Sequence, residues 1–552
     1  MTLPAAPPLP GRPPPHLAQE LAGWRKARRY AVPQWMIEQA TERRLAGNWA
    51  GACAAARVDV ELDLADIARR HGTQVGSAVR DDLLHFAPDL LRWHLPRLEY
   101  GMSTIARRQA IVLGEYDGPK LYVSTPPRYD GPQRLRLRFG PKLGGDDDER
   151  FGLTPHFWAG LRHLWDARRS GELLERCGGD RRRAPFFHPD GTPVQEPGAG
   201  DDPAALFERV TLLQDRGEIE AAVDAAGLVM DPGEPDRPRE HPMSPRGILS
   251  RLPLALSRMA PELRRLGGDL YKIRPGWGLP ILIEARARPL FRPVRREEPG
   301  AAPLPQEVWR RLPDLDLLRA GRITPEELHP LVRSALFPGR PAPDGPVGPP
   351  DPRPPEPVRV RCRGEWHQIH SPDGELRLPH TDEEIRRESA MRVLGGATAG
   401  CFAVHNAWTG RGGRLPRALR ALRQELFERV QHGDAPGVLR LLDAGADPRV
   451  RDGRKRTLLH ALYTLDHEEL LPRLLQAGLD LEARDQEGRT PLHLAVRDYG
   501  STSLVVALLG AGARLDAVDD LGRPVALGPR NRRTLEKLIE ERGLDPGTTS
   551  LG

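Results

Sequence analysis

Near the C-terminus the phrase Leu-Leu-x-Ala-Gly occurs three times, as Leu441-Leu-Asp-Ala-Gly445, Leu474-Leu-Gln-Ala-Gly478 and Leu508-Leu-Gly-Ala-Gly512, and its glycines stand 33 and 34 residues apart. A second phrase keeps the same step. Thr490-Pro-Leu-His493, opened by Gly488, stands 33 residues after Thr457-Leu-Leu-His460. So short and regular a period means one supersecondary unit copied along the chain, each copy too small to bury its own apolar face, so that neighbours must stack. Within a copy, the Thr490 hydroxyl can cap a helix, Pro491 suits the first helical position, and Leu492, Leu494 and Ala495 can pack on adjacent helices.

The T-P-L-H-x-A phrase at a period near 33 resembles the ankyrin repeat family, over about a quarter of the chain. Four units are expected: an opening one from Leu426 to Val450, two well-formed ones from Thr457 and Thr490, and a degenerate closing one from Arg523 to Pro546. Weak ends suit caps, which turn one face to water. Three departures bear on local geometry: Leu458 in place of the usual Pro, Pro472 within an outer helix, and an extra residue before Gly500. The resemblance implies a structural role for Thr457, His460, Gly478, Gly488, Thr490, Pro491, His493 and Gly512, the histidines steadying the turn by local hydrogen bonds. It also implies that hairpin tips and the inner-helix face bind a protein partner. Those positions are Arg451, Asp452, Arg454 and Lys455 at the first tip, Arg484, Asp485, Gln486 and Glu487 at the second, and Tyr463, Thr464, Arg497 and Tyr499 on helices. The first tip is mainly basic and the second mainly acidic, which suits a partner with its own charge pattern.

Upstream, one order of phrases is met twice. Gly47-Asn-Trp-Ala-Gly-Ala-Cys-Ala-Ala-Ala-Arg-Val58 aligns without a gap on Gly217-Glu-Ile-Glu-Ala-Ala-Val-Asp-Ala-Ala-Gly-Leu228. Ala87-Pro-Asp then matches Ala260-Pro-Glu, Leu121-Tyr122 matches Leu270-Tyr271, Trp158 matches Trp309, and His188-Pro-Asp-Gly191 matches Ser371-Pro-Asp-Gly374. A duplicated module of about 175 residues follows, an ordinary domain size. Apolar spacing predicts packed helices from His16 to Arg97, strands between Lys120 and Phe139, and helix from Phe157 to Leu174. Val358, Val360 and Cys362, alternating with Arg, predict an edge or half-exposed strand.

The expected architecture is therefore multidomain: an α+β duplicated N-terminal module followed by an all-α ankyrin-like helical solenoid. Residues 1–15 form a proline-rich tail, 16–195 the first copy, 196–375 the second with a proline-rich spacer at 339–357, 376–420 a truncated third copy or a connector, and 421–552 the repeats.

Chemistry is sparse. The sequence carries no P-loop, G-x-S-x-G elbow or H-E-x-x-H, so no catalytic residue is assigned and no enzyme is expected. Arg outnumbers Lys 76 to 6, a bias that reads as codon usage, and a net charge of +6 spreads too thinly to mark a nucleic-acid face. Ile67-Ala-Arg-Arg-His-Gly72 with Val75, Val79 and Leu83 faintly resembles a helix-turn-helix. Gly76 would weaken its second helix, so an ordinary helical hairpin is preferred over a DNA-associated regulator. Cys362 with His367, His370 and His380 offers zinc-type ligands, but C-x4-H-x2-H matches no common finger, and neither metal nor cofactor is expected. Cys53, Cys177, Cys362 and Cys401 form no C-x-x-C pair and suit a reducing, cytoplasmic setting. No apolar run reaches the roughly 20 residues of a membrane span. The expected function is that of a scaffold or adaptor binding an unidentified protein, with neither nucleic acid nor membrane as partner; the alternatives are the DNA-associated regulator and an enzyme with an unrecognised site in the duplicated module.

Overall fold

Gly47 and Gly217 hold the same place in two similar stretches of backbone. Each takes a positive φ, 73° and 80°, where a long helix ends, Gln34–Leu45 in one case and Pro203–Asp215 in the other. Glycine adopts that left-handed closing conformation without a Cβ clash. A short helix follows, Trp49–Ala55 or Ile219–Ala225, and then a strand. The computed structural model describes residues 12–525 apart from 98–101, 145–151, 232–246, 248, 275–279, 295–298, 342–344, 352–355, 370–375, 394–398, 410–412 and 498–499.

The first of those strands, β1 (Val58–Glu61), belongs to a sheet with β2 (Gln109–Glu115), β3 (Lys120–Ser124), β4 (Leu135–Gly140) and β5 (Thr154–Phe157), in the order β1-β4-β3-β2-β5. The second, β6 (Val229–Met230), belongs to a sheet with β7 (Leu270–Ile273), β8 (Ile281–Glu284), β9 (Leu290–Pro293) and β10 (Ala302–Pro303), in the order β6-β9-β8-β7-β10. Strand directions agree as well. In both sheets the two outer pairings are parallel and the two inner ones antiparallel.

This correspondence moves three of the matches read from sequence. Leu121-Tyr122 lies on β3, whereas Leu270-Tyr271 lies on β7, which takes the place of β2. The Ala87 amide donates to the Trp165 carbonyl at 2.8 Å and the Ala255 amide to the Trp309 carbonyl at 2.9 Å. Ala255 and Trp165 are thus the counterparts of Ala87 and Trp309, while Pro261 sits inside the helix Leu256–Leu266. Ser371 to Gly374 lie outside the described residues. The helix expected from Phe157 to Leu174 forms only from Leu173, in Leu173–Arg176: short 3-10 turns stand before it, where Asp166 gathers Arg162 and Arg168 and the Trp165 carbonyl accepts from the Ala87 amide. β1 falls within the stretch expected to be helical throughout, since its partner Leu135–Arg138 lies far along the chain.

The chain divides into two compact units, residues 1–129 with 134–350, and 130–133 with 351–552. The expected boundary at 195/196 falls inside the first. Both sheets share one apolar core running from Leu17 to Phe337, and buried polar pairs cross it. Arg28 donates to both Asp314 oxygens, at 2.8 and 2.7 Å, and lies 4.5 Å from the Trp93 ring centre. His329 meets Asp89 at 3.0 Å. The described part of the proline-rich spacer is not free of the core either, for Gly348 is buried and its amide donates to the Glu326 carbonyl at 2.8 Å.

In the second unit β11 (Val358–Cys362) and β12 (Glu365–Ile369) form a hairpin, with Val358, Val360 and Cys362 turned to the core as their alternation predicts. The helices Asp382–Val393, Gly400–Trp408, Arg417–His432 and Ala435–Asp443 follow, then the 3-10 stretch Leu459–Thr464 and the helices Leu470–Gln476, Pro491–Arg497 and Thr502–Gly510. No helix among the described residues is long and apolar enough to cross a membrane.

Candidate functional site

Each repeat hairpin is built on an aspartate and an arginine four residues apart. Asp485 accepts from the amides of Glu487 (2.8 Å) and Arg489 (3.0 Å) and from the Arg489 guanidinium at 3.0 and 2.7 Å. Asp452 serves Arg454 and Arg456 in the same way, and Asp519 serves Leu521 and Arg523. Burial pushes the Asp485 carboxyl up, but the hydrogen bonds from Arg489 and neighbouring amides outweigh it and hold the group below its ordinary range. A carboxylate that accepts several donors is stabilised in its charged form.

Consecutive hairpins are stapled by a second arginine. Arg451 donates to the carbonyls of Lys455 (2.8 Å) and Arg484 (3.0 Å), and Arg484 to those of Gly488 (3.1 Å) and Val518 (2.7 Å). Backbone bonds run alongside, Gln486 N to Arg454 O at 2.9 Å and Asp520 N to Glu487 O at 3.1 Å. A Cβ on Gly488 would lie 2.7 Å from the Asp520 amide nitrogen, so that glycine is needed both for its φ of 73° and for the close approach.

Several residues expected at the binding surface are engaged within the array. Asp485 is buried, Arg451 and Asp452 are half-buried and Arg484 is exposed, and all four hold the hairpins. Tyr463 and Thr464 are buried, and the Thr464 hydroxyl donates within the array to Val430 and Ala461, both at 2.8 Å. Arg454, Lys455, Gln486, Glu487 and Arg497 are exposed; Tyr499 lies outside the described residues. The motif histidines make local bonds: Nδ1 of His460 accepts from the Thr457 amide (3.1 Å) and faces its hydroxyl (2.8 Å), and Nδ1 of His493 does the same with Thr490 at 3.2 and 2.9 Å. Where Pro491 opens an α-helix, Leu458 precedes a 3-10 stretch, Leu459–Thr464. Pro472 falls in the first turn of Leu470–Gln476, where a missing amide hydrogen leaves no bond broken. Gly478 and Gly512 close their helices at positive φ. Residues 526–546 of the closing unit lie outside the described residues.

A second constellation stands upstream of the repeats in the same unit. Cys362, His367, His380 and Cys401 bring one sulfur or ring nitrogen each within 4.8 Å of one another. The two-residue turn Arg363-Gly364, both at positive φ, folds β12 back on β11. His367 then faces Val360 across the ladder and shares the core side of the hairpin with Cys362. Cys401 enters from the first turn of Gly400–Trp408. A Cβ on Gly400 would stand 2.5 Å from the Cys362 sulfur, so the glycine lets the helix start approach. Burial pushes the Cys401 thiol up to about 12, and the neighbouring Cys362 sulfur adds to the shift. Sequence reasoning named three of these residues; it missed Cys401, whose distance along the chain hides its place in the cluster. His370 lies outside the described residues.

In the first unit a cavity is lined by His94, His163, Cys177 and Glu307 with Trp24 and Phe207. Burial raises Glu307 to about 7 and lowers both histidines well below their ordinary value. The helix pair Leu64–His71 and Thr73–His85 is joined by Gly72 alone. Arg69 and Arg70 both pair with Asp66, and a Cβ on Gly76 would stand 2.8 Å from that of Ala68. Close packing of two helices accounts for that glycine.

No curated protein matches the chain. The family described as ankyrin repeats matches residues 426–519, in three copies, over the hairpins whose Asp-Arg pairs and threonine-histidine turns are described above. Residues 426–519 of this chain are an array of ankyrin repeats.

Proposed function

We propose that this chain is a non-enzymatic cytoplasmic adaptor, in which a duplicated α+β module carries an ankyrin solenoid that docks a protein partner. Ankyrin repeats are in general protein-binding modules. The observation that carries the reading is the division of labour at the tips. Asp452, Asp485, Arg451 and Arg484 are engaged in the scaffold, and the exposed side chains beside them are basic at one tip, Arg454 and Lys455, and neutral or acidic at the next, Gln486 and Glu487, the latter also meeting Arg489 at 2.9 Å. Such rim charges steer association and select partners without holding the fold. The shared order and direction of strands in the two sheets supports duplication of the N-terminal module, and four free cysteines suit a reducing compartment.

The test is an Arg454→Glu, Lys455→Glu double substitution in the full chain. Recovery of specific partners from cell extract should fall about tenfold, which corresponds to 1.4 kcal/mol, while the thermal melt stays within a degree or two. Unchanged recovery would remove the tips from the account.

A rival reading, an enzyme, would centre on the cavity beside Glu307, a buried carboxyl with a pKa of about 7 and so suited to proton transfer. Glu307→Gln separates the two readings, because an adaptor keeps its partners and an enzyme loses turnover.

A further inference from the structure

We propose that Cys362, His367, His380 and Cys401 bind one structural Zn2+, through the two sulfurs, Nδ1 of His367 and Nε2 of His380.

The edge lengths of the cluster carry this. Zinc holds sulfur at about 2.3 Å and nitrogen at about 2.0–2.1 Å in a tetrahedron, so two nitrogens should stand about 3.3 Å apart and a sulfur and a nitrogen about 3.6 Å. The His367 Nδ1 to His380 Nε2 distance is 3.3 Å. Cys401 Sγ stands 3.5 Å from His367 Nδ1, and Cys362 Sγ stands 3.7 Å from His380 Nε2. Three edges of the tetrahedron thus have the lengths that an ion at its centre would impose, and two sulfurs with two imidazoles are the donor set zinc prefers.

The surroundings agree. Metal-bound imidazoles present their second nitrogen to a carboxylate or a carbonyl, which fixes the ring. Nδ1 of His380 faces Glu384 at 3.5 Å, and Nε2 of His367 faces Glu365 at 3.8 Å. Phe402 lies against the His380 ring, 4.6 Å between centres, and both cysteines are buried. Cys401 sits in the first turn of the helix Gly400–Trp408.

All four positions come from the protein, so the site is closed and its role is structural. It would tie the hairpin, the His380 turn and the helix Gly400–Trp408 into one piece. That piece is joined to the array through Asp447, which accepts from Trp408 Nε1 at 3.0 Å and from the Leu376 amide at 3.2 Å. Loading displaces two thiol protons to solvent and moves no electrons.

The test uses the full chain purified under reducing conditions without chelator. Elemental analysis should find about one zinc per chain. After the zinc is stripped, added Co2+ should give the visible bands of a tetrahedral site with sulfur-to-cobalt charge transfer. The Cys362→Ser, Cys401→Ser double variant should lose both signals while Cys53→Ser, Cys177→Ser keeps them, and Glu384→Gln should weaken Co2+ affinity by about tenfold. The wild-type cobalt spectrum needs no variant to fold. Absence of both zinc and thiolate-cobalt charge transfer in the reduced wild-type chain would overturn the proposal. So would a Cys362–Cys401 disulfide in the purified chain with no metal, or charge transfer that persists without Cys362 and Cys401.

Discussion

Nε2 of His460 donates to the carbonyl of Arg489 across 3.0 Å, so the ring that closes the turn of one repeat also fastens the next. Both ring nitrogens are used, because Nδ1 must stay unprotonated to accept from the Thr457 amide. Burial pulls the His460 pKa down to about 4, below the roughly 6.5 of an unfolded histidine. Stability from the neutral ring is therefore full above pH 6.5 and lost as pH falls toward 4. Amide hydrogen exchange of 457–476 should quicken across that window in the full chain. His460→Gln should be less stable at pH 7 and nearly flat between pH 6.5 and 4.

Lys455 has a φ of 61°, while its counterparts one and two repeats on are Gly488 and Gly522, at 73° and 72°. A side chain in that left-handed region costs roughly 1–2 kcal/mol, part of which glycine returns through the freedom it loses on folding. Lys455→Gly should stabilise the array by about 0.5–1 kcal/mol, read as a higher urea midpoint.

Asp314 accepts two bonds from Arg28 and one from Trp93 Nε1 at 3.2 Å, with both charged side chains almost wholly buried. Removing one partner of a buried pair leaves an uncompensated charge and costs about 3–5 kcal/mol. Asp314→Ala should lower the unfolding free energy of the first unit by that amount, read from a urea titration, whereas Asp190→Ala, at an exposed loop, should leave it nearly unchanged.

The Gly76 contact with Ala68 allows no methyl group. Gly76→Ala should destabilise by about 1–3 kcal/mol despite better helix propensity. A stabilised protein would show that the two helices are free to part.

What could be read beforehand followed the range of the forces involved. The threonine-histidine turns and closing glycines are local, so Thr457, Thr490, Gly478 and Gly512 declared the repeats. Asp452 and Asp485 read from sequence as solvated tip charges, and only the folded chain brings the arginine four residues on back onto each. β2 escaped notice: a strand buried along most of its length shows an unbroken apolar run, Ala110 to Leu113, and no alternation. The cluster partner Cys401 stands 21 residues beyond His380, and its approach depends on the positive φ of Gly400, 58°, which no spacing rule announces.

Lys455 is one of 6 lysines in the chain, and it stands at the first tip. Amine-directed crosslinking of the full chain in cells, read by mass spectrometry, therefore reports on the docking surface residue by residue. Partner peptides should be found joined to Lys455, with the yield reduced when Glu487 is changed to Lys on the neighbouring tip. Partner crosslinks confined to Lys26, Lys120, Lys142 or Lys272, with none at Lys455, would contradict docking at the tips.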